Sequence, residues 1–133
     1  MSGCGEQRSG GVPKIEIGKD ACSRCGMIIS EARYASGYIN SEGESVLFDD
    51  LGEFLEALRH DHRLMGRAYV NDLEKMEWTK ADQATYVRVP SLATPMGSGI
   101  AAFDSRARAE IFAKARAEKT TDLQGALQSF QER

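Results

Sequence analysis

The stretch Asp20-Ala-Cys-Ser-Arg-Cys-Gly-Met27 constrains this chain more than any other. It holds two of the three cysteines, and the two residues between Cys22 and Cys25 let one tight turn aim both sulfurs at a single point. Gly26 then lets the backbone double back without a Cβ clash. A soft metal ion or a redox bond fits such a turn. Met27 favours the metal, because a thioether beside a thiolate suits Cu(I), whereas zinc is more often completed by further Cys or His. The fold has to present this sulfur-bearing loop.

Composition narrows the frame around it. A chain of 133 residues makes one domain or two small lobes sharing a core. With 41% hydrophobic and 28% charged residues it reads as a globular protein, and no apolar run reaches the roughly 18 residues of a membrane helix. A net charge of −3 supplies no basic stripe for phosphates, so nucleic acid is not an expected partner. Three cysteines are too few for a disulfide scaffold, and Cys4 is left over if Cys22 and Cys25 act together. Ser2-Gly3-Cys4-Gly5 has the form of the end of a bacterial lipobox, which would make Cys4 a lipid attachment point and the chain's only link to a membrane. The bland alternative is a polar tail with a chance cysteine.

Residues 1–13, rich in Gly and Ser and closed by Pro13, read as a flexible tether. Two lobes are expected to follow, over 14–80 and 81–133. In the first, Ile15 and Ile17 alternate with polar neighbours as a short strand would. Tyr34–Asn40 and Glu44–Phe48 flank a glycine-containing turn of hairpin length. Asp50 is placed to cap a helix, with Glu53 favourably disposed toward the amides of its first turn and Leu51, Phe54, Leu55 and Leu58 as the buried stripe. Ala68–Asp72 reads as a third strand, and Trp78 as the start of a polar connection. In the second lobe Ala84–Val89 and Gly99–Phe103 read as strands, and Ala107, Ile111, Phe112 and Ala115 as one helical face. The two Phe-Asp pairs, Phe48-Asp49 and Phe103-Asp104, mark corresponding handovers from strand to helix, which gives a weak internal duplication. Thr121-Asp-Leu-Gln124 has the form of a capping box opening a C-terminal helix. The expected class is α+β: two pseudo-repeated β-β-α-β lobes and a terminal helix.

Three chemistries remain open for the cysteine turn. A C-x-x-C spacing serves copper carriers, zinc knuckles and thiol–disulfide proteins alike. Zinc would need further ligands, and His60 and His62 are the cluster available. A thioredoxin-like thiol pair should open a helix, but here Gly26 and a Met-Ile-Ile run follow. A second turn, Thr94-Pro-Met-Gly-Ser-Gly99, holds Met96 between Pro95 and Gly97 and offers another thioether, unless Met96 is a buried anchor. If the repeat is real, the two turns frame one cleft. Asp49-Asp50 is not expected to act as an acid–base pair, because consecutive residues point apart and one of them caps the helix.

The ordered set Cys22-Ser-Arg-Cys-Gly-Met27, Phe48-Asp-Asp50, Ala68-Tyr-Val-Asn-Asp72, Trp78, Tyr86-Val87 and Thr94-Pro-Met-Gly97 resembles the NosL family, over roughly residues 19–113. The resemblance implies a Cu(I)-binding metallochaperone, not an enzyme, that serves the maturation of nitrous oxide reductase as a periplasmic or otherwise extracytoplasmic lipoprotein. It implies two lobes similar to those of organomercurial lyase, which also names the low-ranking enzymatic alternative. The family's Cys-Gly-Met motif falls on Cys25 and Met27. A family methionine after the Tyr-Val-x-Asp strand falls on Leu73 here, which leaves Met76 or Met96 to complete a site with Cys22, Cys25 and Met27. The expected partner is a copper-receiving protein, nitrous oxide reductase or its assembly machinery.

Overall fold

The computed structural model describes residues 11–131, so the lipid-anchor expectation at Cys4 and most of the 1–13 tether lie outside the described residues. Two antiparallel sheets carry the fold. The first contains β1 (Ser36–Ile39), β2 (Ser45–Phe48), β3 (Ala68–Asn71) and β4 (Trp78–Lys80), in the order β2-β1-β3-β4. The second contains β5 (Thr85–Arg88), β6 (Ile100–Phe103) and β7 (Thr120–Thr121), in the order β6-β5-β7. Helices α1 (Leu51–His60) and α2 (Arg106–Lys114) each follow the second strand of their sheet, and α3 (Leu123–Ser129) closes the chain. The first half thus runs β-β-α-β-β and the second β-β-α-β, and in each the first strand is flanked by two others.

The expected hairpin is there, with Ser36 opposite Phe48 and Ile39 opposite Ser45. Helix α1 follows from its sequence: Asp50 accepts a hydrogen bond from the Gly52 N–H at 2.8 Å, and Leu51, Phe54, Leu55 and Leu58 are fully buried. Each such side chain contributes on the order of 1.5–3 kcal/mol. That stripe joins a core that also takes Tyr86, Ile100 and Ala102 from the second sheet and Leu123, Ala126 and Leu127 from α3. The opposite face of the second sheet packs Val87, Ala101 and Phe103 against α2. Helices α1 and α3 therefore share one core with both sheets.

Local chemistry overrides pattern at several places. Ile15 and Ile17 form no strand: Asp20 Oδ2 accepts from the Glu16 N–H at 2.7 Å, Gly18 turns at φ +88°, and Ile17 stays exposed. Residues 16–29 instead close as a loop, with an Ala21–Ile28 bridge. Trp78 opens not a loop but the edge strand β4, paired with Asn71. Of the expected face of α2 Phe112 packs on the core, but the buried residues are Ala109 and Ala113 and Ile111 is 71% exposed, because small residues let the helix lie close on the sheet. The cap of α3 is Asp122, which accepts from the Gly125 N–H at 2.8 Å, and Thr121 belongs to β7.

The last turn of α3 is fastened by Arg59. Its Nε donates to Leu127 O at 2.7 Å and its Nη2 to Phe130 O at 2.9 Å, so a cation satisfies carbonyls that a helix C-terminus leaves free. Arg59→Ala is expected to lower stability by about 1.5–3 kcal/mol, the range for hydrogen bonds to a charged group. Urea denaturation reads this directly, and an unchanged midpoint would show that α3 is held by its apolar face alone.

Candidate metal centre

The Asp20–Met27 loop folds over the end of the first sheet where β2 hands over to α1. Cys22 N–H donates to Met27 O at 2.8 Å, Gly26 N–H donates to Cys22 O at 2.9 Å, and Gly26 takes φ +79°, so the turn closes on itself as the spacing demands. The Ser23 N–H donates to Leu47 O at 2.8 Å and ties the turn to β2. Neither cysteine is in a disulfide.

Four potential ligand atoms converge here. Those of Cys22, Cys25, Asp49 and Glu53 all lie within 4.8 Å of one another. Cys22 is only 2% exposed, and its thiol donates to Glu53 Oε1 at 3.3 Å. Cys25 is half-buried and donates to both oxygens of Asp49 at 3.7 Å. Burial pushes the Cys22 thiol up to about 12, so it stands as S–H at neutral pH, and burial also raises the Glu53 carboxyl above its ordinary value. The two carboxylates thus hold the two thiols from behind.

Asp49 and Glu53 are the members that the sequence reading did not assign. Asp49 and Asp50 do point apart, as consecutive residues should: Asp50 caps α1, and Asp49 turns to Cys25. Glu53, on the first turn of α1, faces Cys22 rather than serving only the helix amides. A Cys-x-x-Cys turn followed by an acidic pair at the start of a helix was the available signal.

The methionines divide. Met27 leaves the turn 55% exposed. Met96 is 46% exposed, and its N–H donates to Asp50 Oδ2 at 2.8 Å, which anchors the second turn on the N-terminus of α1. Burial opposes ionisation of Asp50, but the Ser98 and Thr94 hydroxyls and the Gly52 and Met96 N–H groups outweigh it and hold its carboxyl low. Gly52 permits the close approach, since a Cβ there would meet the Ser98 Cβ at 2.8 Å. A cavity of about 230 Å³ is lined by both Met96 and Glu53, while Cys22, Cys25 and Asp49 do not line it. Met76 belongs to another turn. Its turn joins β3 to β4, its N–H donates to Asp72 O, and β2 and β3 flank β1, two strand spacings or roughly 10 Å apart. His60, paired with Glu56, lies seven residues along α1 from Glu53, about 10 Å, so the histidines do not complete a zinc site with the cysteines.

A family model described as NosL matches residues 14–125. No curated protein matches the chain significantly. Among solved structures, the copper chaperone NosL from Shewanella denitrificans is similar, with a TM-score of 0.63 and 22% identity over 78% of this chain and 87% of that one. This likeness is one of fold. Mixed α/β architecture with two antiparallel sheets agrees with the α+β expectation, and the Cys/Asp/Glu cluster fits copper binding. Among the described residues no helix is long and apolar enough to cross a membrane.

Proposed function

The chain belongs to the NosL family, and from that premise we propose that it is a metallochaperone carrying one Cu(I) ion on Cys22, Cys25 and Met27, with Met96 completing the shell. The observation that carries this reading is the convergence of the two cysteine sulfurs on a turn that ends in the exposed Met27. Cu(I) is soft and selects thiolate and thioether over carboxylate, so Asp49 and Glu53 serve as outer partners that orient the sulfurs and accept their hydrogen bonds before loading. Loading displaces the Cys22 proton, as binding to any thiol must. Met76, on the turn after β3, is the alternative to Met96 for the last thioether.

Placement of the sulfurs suits a carrier rather than a store. Cys22 is enclosed, whereas half-exposed Cys25 and the two thioethers can be reached by an incoming ligand. An acceptor can then take the ion by shared-ligand exchange, with no bond-making chemistry on the chaperone's part. By family resemblance the acceptor is nitrous oxide reductase or its assembly machinery, and the setting is extracytoplasmic, with a lipid on Cys4 as the anchor.

Anaerobic titration of the reduced protein with Cu(I) against a competing chelator tests this: one equivalent held is the expected result, and none held rejects the reading. The same titration on Met96→Leu is expected to show affinity lower by at least about tenfold, one 1.4 kcal/mol step. Leucine keeps the volume and removes the sulfur, so thermal stability should stay put. Full affinity in this variant would make Met96 a structural anchor.

A further inference from the structure

We propose that Cys22 and Cys25 are also a reversible dithiol–disulfide couple, in which Cys25 is the entry sulfur and Cys22 the resolving sulfur, exchanging with a protein disulfide or dithiol. Asymmetry of the pair carries this. The two sulfurs lie within 4.8 Å, on a turn that already directs the Cys25 N–H to Cys22 Sγ at 3.5 Å. Cys25 is reachable from solvent, while Cys22, at 2% exposure, is closed to any macromolecule and lies against Cys25 and Glu53.

The exchange balances without a further reactant. Cys25 Sγ attacks one sulfur of the partner's disulfide, forming a mixed disulfide and releasing the first partner thiol. Cys22 Sγ then attacks Cys25 Sγ, forming the Cys22–Cys25 bond and releasing the second partner thiol. Two electrons and both thiol protons pass to the partner's sulfurs, and a partner dithiol reverses each step. Closing the bond uses the electron pairs that a metal would take, so disulfide and copper exclude one another. The couple stands by itself, whereas its exclusion by copper rests on the copper reading above.

The test equilibrates the full chain anaerobically in reduced and oxidised glutathione mixtures, alkylates the remaining thiols and maps Cys22 and Cys25 by peptide mass. The two thiols are expected to disappear together as one intramolecular bond. Cys22→Ser should trap glutathione on Cys25, and Cys25→Ser should leave Cys22 unmodified. A wild-type protein that accumulates glutathione on Cys25 without ring closure, or a Cys22 modified in Cys25→Ser as fast as Cys25 is in Cys22→Ser, overturns the assignment. With free Cu(I) buffered at about a hundred times its dissociation constant, the dithiol-to-disulfide ratio should rise about a hundredfold. That raises the couple's potential by about 59 mV. Copper bound with the ratio unmoved overturns the exclusion, whereas a couple that forms in a protein taking up no Cu(I) upholds this inference and defeats the copper reading.

Discussion

Reduced protein carrying Cys25→Ser is expected to surrender Cu(I) to a competing chelator that the native protein resists. The loss of affinity should exceed the roughly 10–100-fold typical of removing an outer partner of a metal ligand. Serine nearly preserves the volume and replaces a soft donor with a hard hydroxyl, so the change isolates ligation from packing. Cys25 is half-buried at the rim of the core, which spares the fold. The comparison that gives this result meaning is Asp49→Asn. Asparagine still accepts from Cys25 but carries no charge, and it should cost within that 10–100-fold range. If Asp49→Asn costs as much as Cys25→Ser, the carboxylate is a ligand and the site is not the soft one proposed.

The largest effect on stability is expected at Asp72. This carboxylate is wholly buried and accepts from the backbone N–H groups of Glu74 at 2.9 Å, Lys75 at 2.8 Å and Asp104 at 2.7 Å. Arg108 donates from its two terminal guanidinium nitrogens, Nη2 at 2.7 Å and Nη1 at 3.2 Å, and also pairs with Glu74 and Asp104. With Leu73 N–H donating to Ala102 O at 2.8 Å, this knot joins the end of β3 to the start of α2. Asp72→Ala strands three N–H donors and takes from Arg108 one of its three carboxylates, and at about 1–3 kcal/mol for each donor left unsatisfied it is expected to cost several kcal/mol. Against a typical 5–15 kcal/mol for a whole domain, that is a large part of the total.

The same group sets an acid limit. Burial opposes its ionisation, but Arg108 and the three N–H donors more than compensate and hold its pKa well below the usual carboxylate range. A depressed folded pKa contributes stability that is complete above the unfolded value, about 3.9, and is lost as pH falls toward the folded one. The native protein should therefore lose stability below about pH 4 more steeply than Asp72→Ala does. Denaturation midpoints measured at descending pH check this, and parallel curves for the two proteins would assign the acid sensitivity to other carboxylates.

Asp72 was legible in the sequence only as the end of a strand, and that marks where sequence reading stops. Features set by short-range chemistry came through: the Cys22–Gly26 turn, the Asp50 cap, the period of Leu51, Phe54, Leu55 and Leu58, and the hairpin between β1 and β2. Features set by a distant partner did not. Glu53 reaches Cys22 across 31 positions, and Asp72 reaches Arg108 across 36. Nothing local in either carboxylate announces the partner. Ile17 and Ile111 show the opposite failure, since their apolar spacing is genuine but a local turn and a pair of alanines decide what is buried. The places of the two methionine candidates were likewise set by distant or turn partners, with the Met96 N–H on Asp50 and the Met76 N–H on the Asp72 carbonyl.

X-ray absorption at the copper edge, on reduced protein loaded anaerobically with one equivalent of Cu(I), tests the central claim most directly. A first shell made of sulfur alone is expected, reduced by one sulfur in Met96→Leu and lost in Cys25→Ser. Oxygen or nitrogen neighbours in that shell would place the ion on Asp49 and Glu53 or on the distant histidines, and would contradict it.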